Sequence, residues 1–256
     1  MNICLIGGTG SLGQVLLKEL FNLGYNVTVL ARDEHKISQI KRQYQHGQVK
    51  FIIGDIRNRD SIDLSGISIV IHLAALKHVF TGQEYISEVI KTNINGTENV
   101  IWACNKYKIK KLIYISSDKS VEPVNVYGMS KHIAEKLILN EKKLFTVIVR
   151  SGNIWNSRGS CLPYFMERKR QGKKIHLTDE RMERYFIECK RLARFIITVM
   201  RENKDKALYI PRMKSLRIID IIKKLQCEFE VIGKRDGEKL KEKLYWEGEK
   251  FNIWTI

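Results

Sequence analysis

From residue 2 to residue 150 the chain alternates short apolar runs with segments whose apolar residues recur every three or four positions. That alternation is met by strands joined through crossover helices, and it excludes an all-helical bundle or a simple antiparallel meander. The runs are residues 2–7, Asn26-Val-Thr-Val-Leu-Ala, Val49-Lys-Phe-Ile-Ile, Ile67-Ser-Ile-Val-Ile-His-Leu, Lys111-Leu-Ile-Tyr-Ile-Ser-Ser and Leu144-Phe-Thr-Val-Ile-Val-Arg150. Because such crossovers are right-handed, the predicted fold class is α/β, a doubly wound, mainly parallel sheet. Beyond Arg150 the pattern loosens into loops, short strands and two helices near 189–202 and 215–225. Residues 151–256 are therefore expected to form a small α/β cap, interleaved with the 1–150 region and closing over the sheet's carboxyl edge.

The first run leads into Gly7-Gly-Thr-Gly-Ser-Leu-Gly13 and then a helix with apolar Leu12, Val15, Leu16, Leu20 and Leu23. Strand, glycine turn and helix are the parts of a Rossmann nucleotide-binding unit, in which backbone N–H groups and a helix N-terminus hold a pyrophosphate. Gly7, Thr9, Gly10, Ser11, Leu12 and Gly13 are the residues placed for it. The second run ends at Arg32-Asp-Glu-His-Lys36. Arg32 and Lys36 favour a 2′-phosphate, hence NADP, while Asp33 keeps NAD open. Asp55, with Ile56, either receives an adenine or is a surface-turn residue. Leu73, Ala74 and Ala75 form a rim where a cofactor presses close, with Lys77 pointing into the same rim. Thr92 and Asn93, inside an amphipathic helix, fit a bend or buried hydrogen bond as well as a ligand contact.

Chemistry concentrates between Ile115 and Lys131, where Ser117, Asp118, Lys119, Tyr127 and Lys131 fall within one strand–turn–helix passage. Asp118 and Lys119 lie just past a strand's carboxyl end, where open α/β sheets bind ligands. A helix starting near Asn125, after Pro123, puts Tyr127 and Lys131 on one face. A Tyr beside a fixed ammonium loses proton affinity and can take a hydroxyl proton. The alternative is a surface Tyr and a solvated Lys.

A net charge of +17 implies a preference for anionic partners. The basic runs are dispersed over predicted element ends, so polyanionic small ligands explain them as well as nucleic acid does, and no nucleic acid is expected. Five scattered cysteines without a C-x-x-C pair suggest neither a disulfide framework nor a zinc site, and the six histidines make no ligand spacing. No metal is expected, and His72 reads as an interior side chain. No apolar run approaches the roughly 18 residues of a membrane span. The start of the chain lacks a signal-peptide pattern. A cytoplasmic protein is expected.

Taken together, Gly7-x-x-Gly10-x-x-Gly13, Ala74-Ala75 and Tyr127-x-x-x-Lys131 resemble the extended short-chain dehydrogenase/reductase superfamily. Ala74-Ala-Leu-Lys-His-Val, Lys91-Thr-Asn, Ser116-Ser-Asp-Lys, Arg150-x-Gly-Asn, Arg158-Gly-Ser, Thr178-Asp-x-Arg-Met and Arg235-Asp-Gly-Glu-Lys are similar, in order, to the inverting UDP-N-acetylglucosamine 4,6-dehydratases of pseudaminic acid synthesis. The resemblance implies oxidation at C4 with NADP, loss of water across C5 and C6, and return of hydride to C6 with inversion at C5. It implies Tyr127, helped by Lys131, as the base at the 4-hydroxyl and Lys119, partly neutral, as the base at C5. Asp118 would be the acid at the 6-hydroxyl. Lys77, Thr92, Asn93 and Asn153 would face the sugar, and Thr178, Arg184, Arg235 and Glu238 the uridine diphosphate. Glu183 and Asp236 depart from the family pattern, and a carboxylate at 183 is expected to weaken diphosphate binding. A homo-oligomer, dimer or hexamer, is implied, although the chain stops soon after Trp254.

Overall fold

The computed structural model describes residues 1–44 and 47–254. Through residue 151 the chain forms β1 (Asn2–Ile6), α1 (Ser11–Asn22), β2 (Asn26–Ala31), α2 (Glu34–Lys41), β3 (Val49–Ile53), β4 (Ile69–His72), α3 (Val79–Glu84), α4 (Ile86–Val89), α5 (Gly96–Lys106), β5 (Lys111–Ser117), α6 (Val126–Asn140) and β6 (Phe145–Ser151). The remainder adds β7 (Asn153–Ile154), α7 (Cys161–Arg170), β8 (Ile175–Leu177), β9 (Glu183–Ile187), α8 (Cys189–Arg201), β10 (Ala207–Pro211), β11 (Lys214–Arg217), α9 (Ile218–Lys224), β12 (Phe229–Val231) and β13 (Asn252–Trp254).

The main sheet has the order β13-β10-β6-β5-β4-β1-β2-β3, and each neighbouring pair in it is parallel. Strands β1, β2, β4, β5, β6 and β10 are buried on both faces, which is why those before residue 151 read as nearly unbroken apolar runs. Alternation sends Ile3, Leu5, Ile69, Ile71, Ile113 and Val147 to one core, shared with α1 and α8. Cys4, Ile6, Val70, Leu112, Tyr114 and Ile148 go to the other, shared with α5 and α6. Each such side chain contributes about 1.5–3 kcal/mol when fully buried. The segment after residue 151 thus supplies strands and a covering helix to the first sheet as well as forming its own layer.

That second layer holds a three-stranded sheet, β11-β9-β7, and a β12-β8 pair. A separate core of Phe165, Ile175, Met182, Phe186 and four isoleucines of α9 supports it, with Trp155 stacked on Phe186 at 4.2 Å.

Several expectations are corrected. Leu23 lies outside the core at 53% exposure, and Leu17 takes the inward place on α1. The helix expected over 215–225 begins only at Ile218, because Lys214–Arg217 pairs antiparallel with β9. Thr92 and Asn93 sit in a π-helical segment, Ile90–Asn95, between α4 and α5. Among the described residues no helix is long and apolar enough to cross a membrane.

Candidate active site

In this strand order the chain leaves β3 at one edge and returns at β4 beside β1, so a crevice opens at the carboxyl ends of β1 and β4. The turn after β1 is built by close approach. Gly7 has φ +83°, and a Cβ there would stand 2.7 Å from the Ala74 nitrogen. At Gly13 it would stand 2.6 Å from the Gly8 backbone. Gly10 caps α1 without a side-chain hydrogen bond, and no acidic residue lies in the first turn. The first N–H groups and the positive end of the helix dipole are therefore left for an anion.

Around this cradle Thr9 is buried, and its carbonyl accepts a bond from Gln14 at 3.0 Å. The Ser11 hydroxyl accepts the Arg158 N–H at 3.0 Å, tying the turn to the cap. Leu12 and Ile56 are core side chains, so only their backbones can meet a cofactor. Leu73, Ala74 and Ala75 form the partly buried opposite rim. Asp33 caps α2 through the Lys36 N–H at 3.0 Å and is paired with the Lys36 ammonium. The Lys36 pairing holds the Asp33 carboxyl below its usual range. Arg32 is exposed beside them. Asp55 is gripped by Arg57 at 2.6 Å, and the net effect, despite burial, is a lowered pKa.

Past the end of β5 the Ser117 hydroxyl accepts the Lys119 N–H at the start of a short 3₁₀ turn. Asp118 is 0% exposed. Its Oδ1 accepts from the Ser117 hydroxyl at 3.0 Å and from Lys119 Nζ at 3.1 Å. Its Oδ2 is buried with no partner among the described residues. Lys119 Nζ also donates to Asn153 Oδ1 at 3.3 Å and stands 3.7 Å from Glu242 Oε1.

The expected partly neutral Lys119 is not what these neighbours produce. Burial and Arg184 lower its pKa, but the carboxylates of Asp118 and Glu242 outweigh them and raise it. Tyr127 is likewise corrected. Burial raises its pKa, opposed by Lys119 and Ser117, because the Lys131 ammonium is turned elsewhere. Lys131 Nζ donates to the Ile115 carbonyl at 2.7 Å and lies 4.0 Å from the centre of the Tyr114 ring. Burial brings its pKa down to about 7.

The helix that carries Tyr127 is locked to this turn. Asn125 Oδ1 caps it through the Gly128 N–H at 2.8 Å. A Cβ at Gly128 would collide with the Lys119 carbonyl oxygen. Gly128→Ala must push either α6 or the Asp118–Lys119 turn aside. A loss on the order of 10²-fold in turnover is expected, since displacement of about 1 Å has that effect. Steady-state kinetics beside a thermal melt would check it, and an unchanged rate would contradict the packing.

Other expected ligand contacts are differently employed. Asn93, 1% exposed, bonds both the Leu76 N–H and carbonyl and donates to the Ser130 hydroxyl at 2.9 Å. Ser130 in turn donates to the Tyr127 carbonyl, so Asn93 holds the rim and α6 in place and is not free for a sugar. Thr92 Oγ1 is buried and unpartnered. Lys77 donates to the Arg158 carbonyl. Thr178 donates to Met182 Sδ at 3.1 Å. Arg184 gives its terminal nitrogens to the Lys239 and Leu240 carbonyls at 2.8 and 3.0 Å. It braces that loop instead of presenting a free fork. Arg235 lies 4.7 Å over Phe80, and Glu238 accepts the Arg235 N–H. Glu183 is matched by Lys241 at 2.9 Å, which removes the expected bare carboxylate.

Two features were not legible as site features. Glu242 is 7% exposed and faces Lys119. Arg150 is 1% exposed. It pairs with Glu135 and Glu249, each at 2.7 Å, while Glu135 also accepts from the Ser120 hydroxyl beside the Asp118–Lys119 turn. His72 is an interior side chain, kept neutral by burial with a pKa of about 3.

The sequence profile of the polysaccharide biosynthesis protein family matches residues 3–255. This chain belongs to that family. It is 33% identical to an uncharacterized membrane protein of Methanocaldococcus jannaschii, over 98% of this chain and 82% of that one. It is 35% identical to a UDP-N-acetylglucosamine 4,6-dehydratase (inverting) of Campylobacter jejuni, over 94% of this chain and 76% of that one. Against a UDP-glucose 4-epimerase of Rickettsia canadensis the identity is 33%, over the same shares. Among solved structures, Pen from Bacillus thuringiensis superposes with a TM-score of 0.89 at 32% identity, over 95% of this chain and 80% of that one. This member of the polysaccharide biosynthesis protein family is therefore similar, over most of its length, to nucleotide-sugar dehydratases and epimerases.

Proposed function

We propose that the chain is a nucleotide-sugar 4,6-dehydratase acting on UDP-N-acetylglucosamine with NADP, inverting C5 to give a UDP-4-keto-6-deoxy-L-hexosamine for surface-glycan or nonulosonic acid synthesis. The observation that carries this is the hydrogen-bonded Asp118–Lys119 pair, 3.1 Å apart and beside Tyr127 at the sheet's carboxyl edge.

The glycine cradle and the uncapped end of α1 fit a dinucleotide pyrophosphate. Arg32 supports a 2′-phosphate, because Asp33 is already engaged by Lys36 and does not present two free oxygens to ribose hydroxyls. Lys131 would hold the nicotinamide ribose once drawn from the Ile115 carbonyl. A bound nicotinamide supplies the oxidant at C4 and returns hydride at C6.

Tyr127 takes the 4-hydroxyl proton as the phenolate, having passed its own proton to the Lys131 amine, whose pKa of about 7 leaves it able to accept one once it is drawn from the Ile115 carbonyl. The C4 ketone acidifies the C5 proton, which an amine at Lys119 can remove. That needs a neutral Lys119 and a protonated Asp118, and one proton moved from Nζ to Oδ1 across the 3.1 Å bond makes both without exchange with water. Elimination then spends the Asp118 proton on the departing 6-hydroxyl and leaves the C5 proton on Lys119, returning the ion pair. Inversion requires the returning proton to reach C5 on the face opposite the one Lys119 deprotonated, so the donor is Tyr127, which by then carries the 4-hydroxyl proton. Asn153, 3.3 Å from Nζ, keeps the amine aimed.

Incubation with UDP-N-acetylglucosamine and NADP in heavy water is expected to yield a product lighter by one water, with deuterium at C5. The Rickettsia relative makes 4-epimerisation the second reading. An epimerase would give a product of unchanged composition inverted at C4, with no deuterium at C5.

A further inference from the structure

Residues 237–243 lie as a strap across the catalytic turn, tied at several points. Asn125 Nδ2 donates to the Gly237 carbonyl at 2.9 Å, Lys239 Nζ to the Val121 carbonyl at 2.6 Å, and Lys243 pairs with Glu122 at 2.6 Å. From β9, the Glu183 N–H and the Arg184 guanidinium bond the Leu240 carbonyl at 2.8 and 3.0 Å. What this anchoring delivers to the site is one carboxylate. Glu242 Oε1 stands 3.7 Å from Lys119 Nζ, and Oε2 is held by Lys239 Nζ at 3.1 Å. At 3.7 Å the first approach acts by charge and not as a hydrogen bond. Glu242 reaches no cofactor cradle residue, and the proton transfers assigned above do not use it.

We propose that Glu242 is a positioning residue for Lys119: its carboxylate, set in place by the strap, fixes how much of the base is held as ammonium when the sugar arrives. The other groups facing Lys119 are Asp118 on its own turn, Tyr127 on α6, Arg184 on β9 and Cys161 on α7, with Asn153 of β7 as a neutral acceptor. Among the described residues, Asp118 and Glu242 are the anions near it. Asp118 gains and loses a proton during elimination, so Glu242 is the fixed negative charge in the group. It opposes discharge of Lys119 and in return makes the neutral amine a stronger base toward C5.

The role in turnover rests on the dehydratase reading, whereas the effect on Lys119 itself does not. Competitive acetylation of the full chain with acetic anhydride across a pH series, followed by mass spectrometry of the Lys119 peptide, reads the titration directly. Exposed Lys50 serves as the internal reference. In Glu242→Gln the Lys119 midpoint is expected to fall by about one unit or more, equivalent to roughly tenfold more neutral amine at a fixed pH below both midpoints. Glu242→Asp, with its charge set back by one methylene, should give a midpoint resolved from both, between wild type and Glu242→Gln. Coincident midpoints in wild type and Glu242→Gln would overturn the proposal. If Glu242→Gln fails to fold, a Glu242→Asp midpoint identical to wild type would do the same, because withdrawing the charge by one methylene must weaken a 3.7 Å interaction. The same samples are then assayed for C5 deuterium incorporation from UDP-N-acetylglucosamine, where the descending alkaline limb, on which the pair loses its shared proton, should move with the labelling midpoint. An absence of C5 exchange in wild type, with the midpoint shift intact, removes the dehydratase reading and leaves the Glu242–Lys119 coupling standing.

Discussion

On the proposed dehydratase reading, Lys119→Met is expected to lower dehydration of UDP-N-acetylglucosamine by about 10²- to 10⁴-fold, the range for loss of a general acid–base group, and to abolish C5 deuterium incorporation. Met retains the length of the side chain but neither its charge nor its lone pair, and Asp118, 0% exposed, is left without its cation. The base of the elimination is gone, and with it the Nζ proton that Asp118 would receive and pass on. Calorimetry should find binding of UDP altered only a few-fold, since the groups expected near the diphosphate lie in the cap. Rapid C5 exchange by Lys119→Met would exclude this residue as the base. A stability signature accompanies it. Folding raises the Lys119 pKa above 10.5, so its contribution is full below that value and is lost as pH rises through the folded one. Wild type and Lys119→Met should therefore converge in stability only on the alkaline side.

Arg150→Met carries the largest expected cost in stability. Arg150 joins β6 to α6 through Glu135 and to the 244–249 segment through Glu249 and the Leu244 carbonyl at 2.9 Å. Removing it strands the Glu135 carboxylate, 3% exposed, in the interior. Breaking one side of a buried pair in this way costs about 3–5 kcal/mol. Urea denaturation of the two proteins at neutral pH measures it directly. Adding Glu135→Gln and Glu249→Gln to Arg150→Met should recover a large part, because the stranded charges are then gone. A shift below about 1 kcal/mol would mean that water reaches these carboxylates. Activity should fall further than stability explains, since Glu135 also accepts from Ser120, which follows Lys119.

The reach of the amino-acid sequence ends at identifiable places. Period-two burial of Ile3 and Leu5 against Cys4 and Ile6 is a local property, so β1 to β6 were readable from their apolar runs, whereas β10 and β13, which join the same sheet from the far part of the chain, were not. The cradle was readable because Gly7, with φ +83° and Ala74 against it, admits no side chain. Adjacent Asp118 and Lys119 were readable because a strand end in an open parallel sheet leaves them in the ligand crevice. Roles set by distant partners were not. Arg184 looked like an anion binder, yet its guanidinium spans the Lys239 and Leu240 carbonyls. Asn93 looked like a sugar contact, yet the π-helical segment turns it onto Leu76 and Ser130.

By itself, then, the sequence determined the strand–helix alternation, the glycine cradle and which side chains stand at the end of β5, because short-range sterics and periodicity dictate each. Only the tertiary structure decided their charge. The Lys119 pKa is raised and not lowered because Asp118 on its own turn, joined by Glu242 on a strap near the far end of the chain, outweighs the cost of burial. Coulomb energy depends on the distance between groups in space, and no spacing along the chain encodes the 3.7 Å that separates those two.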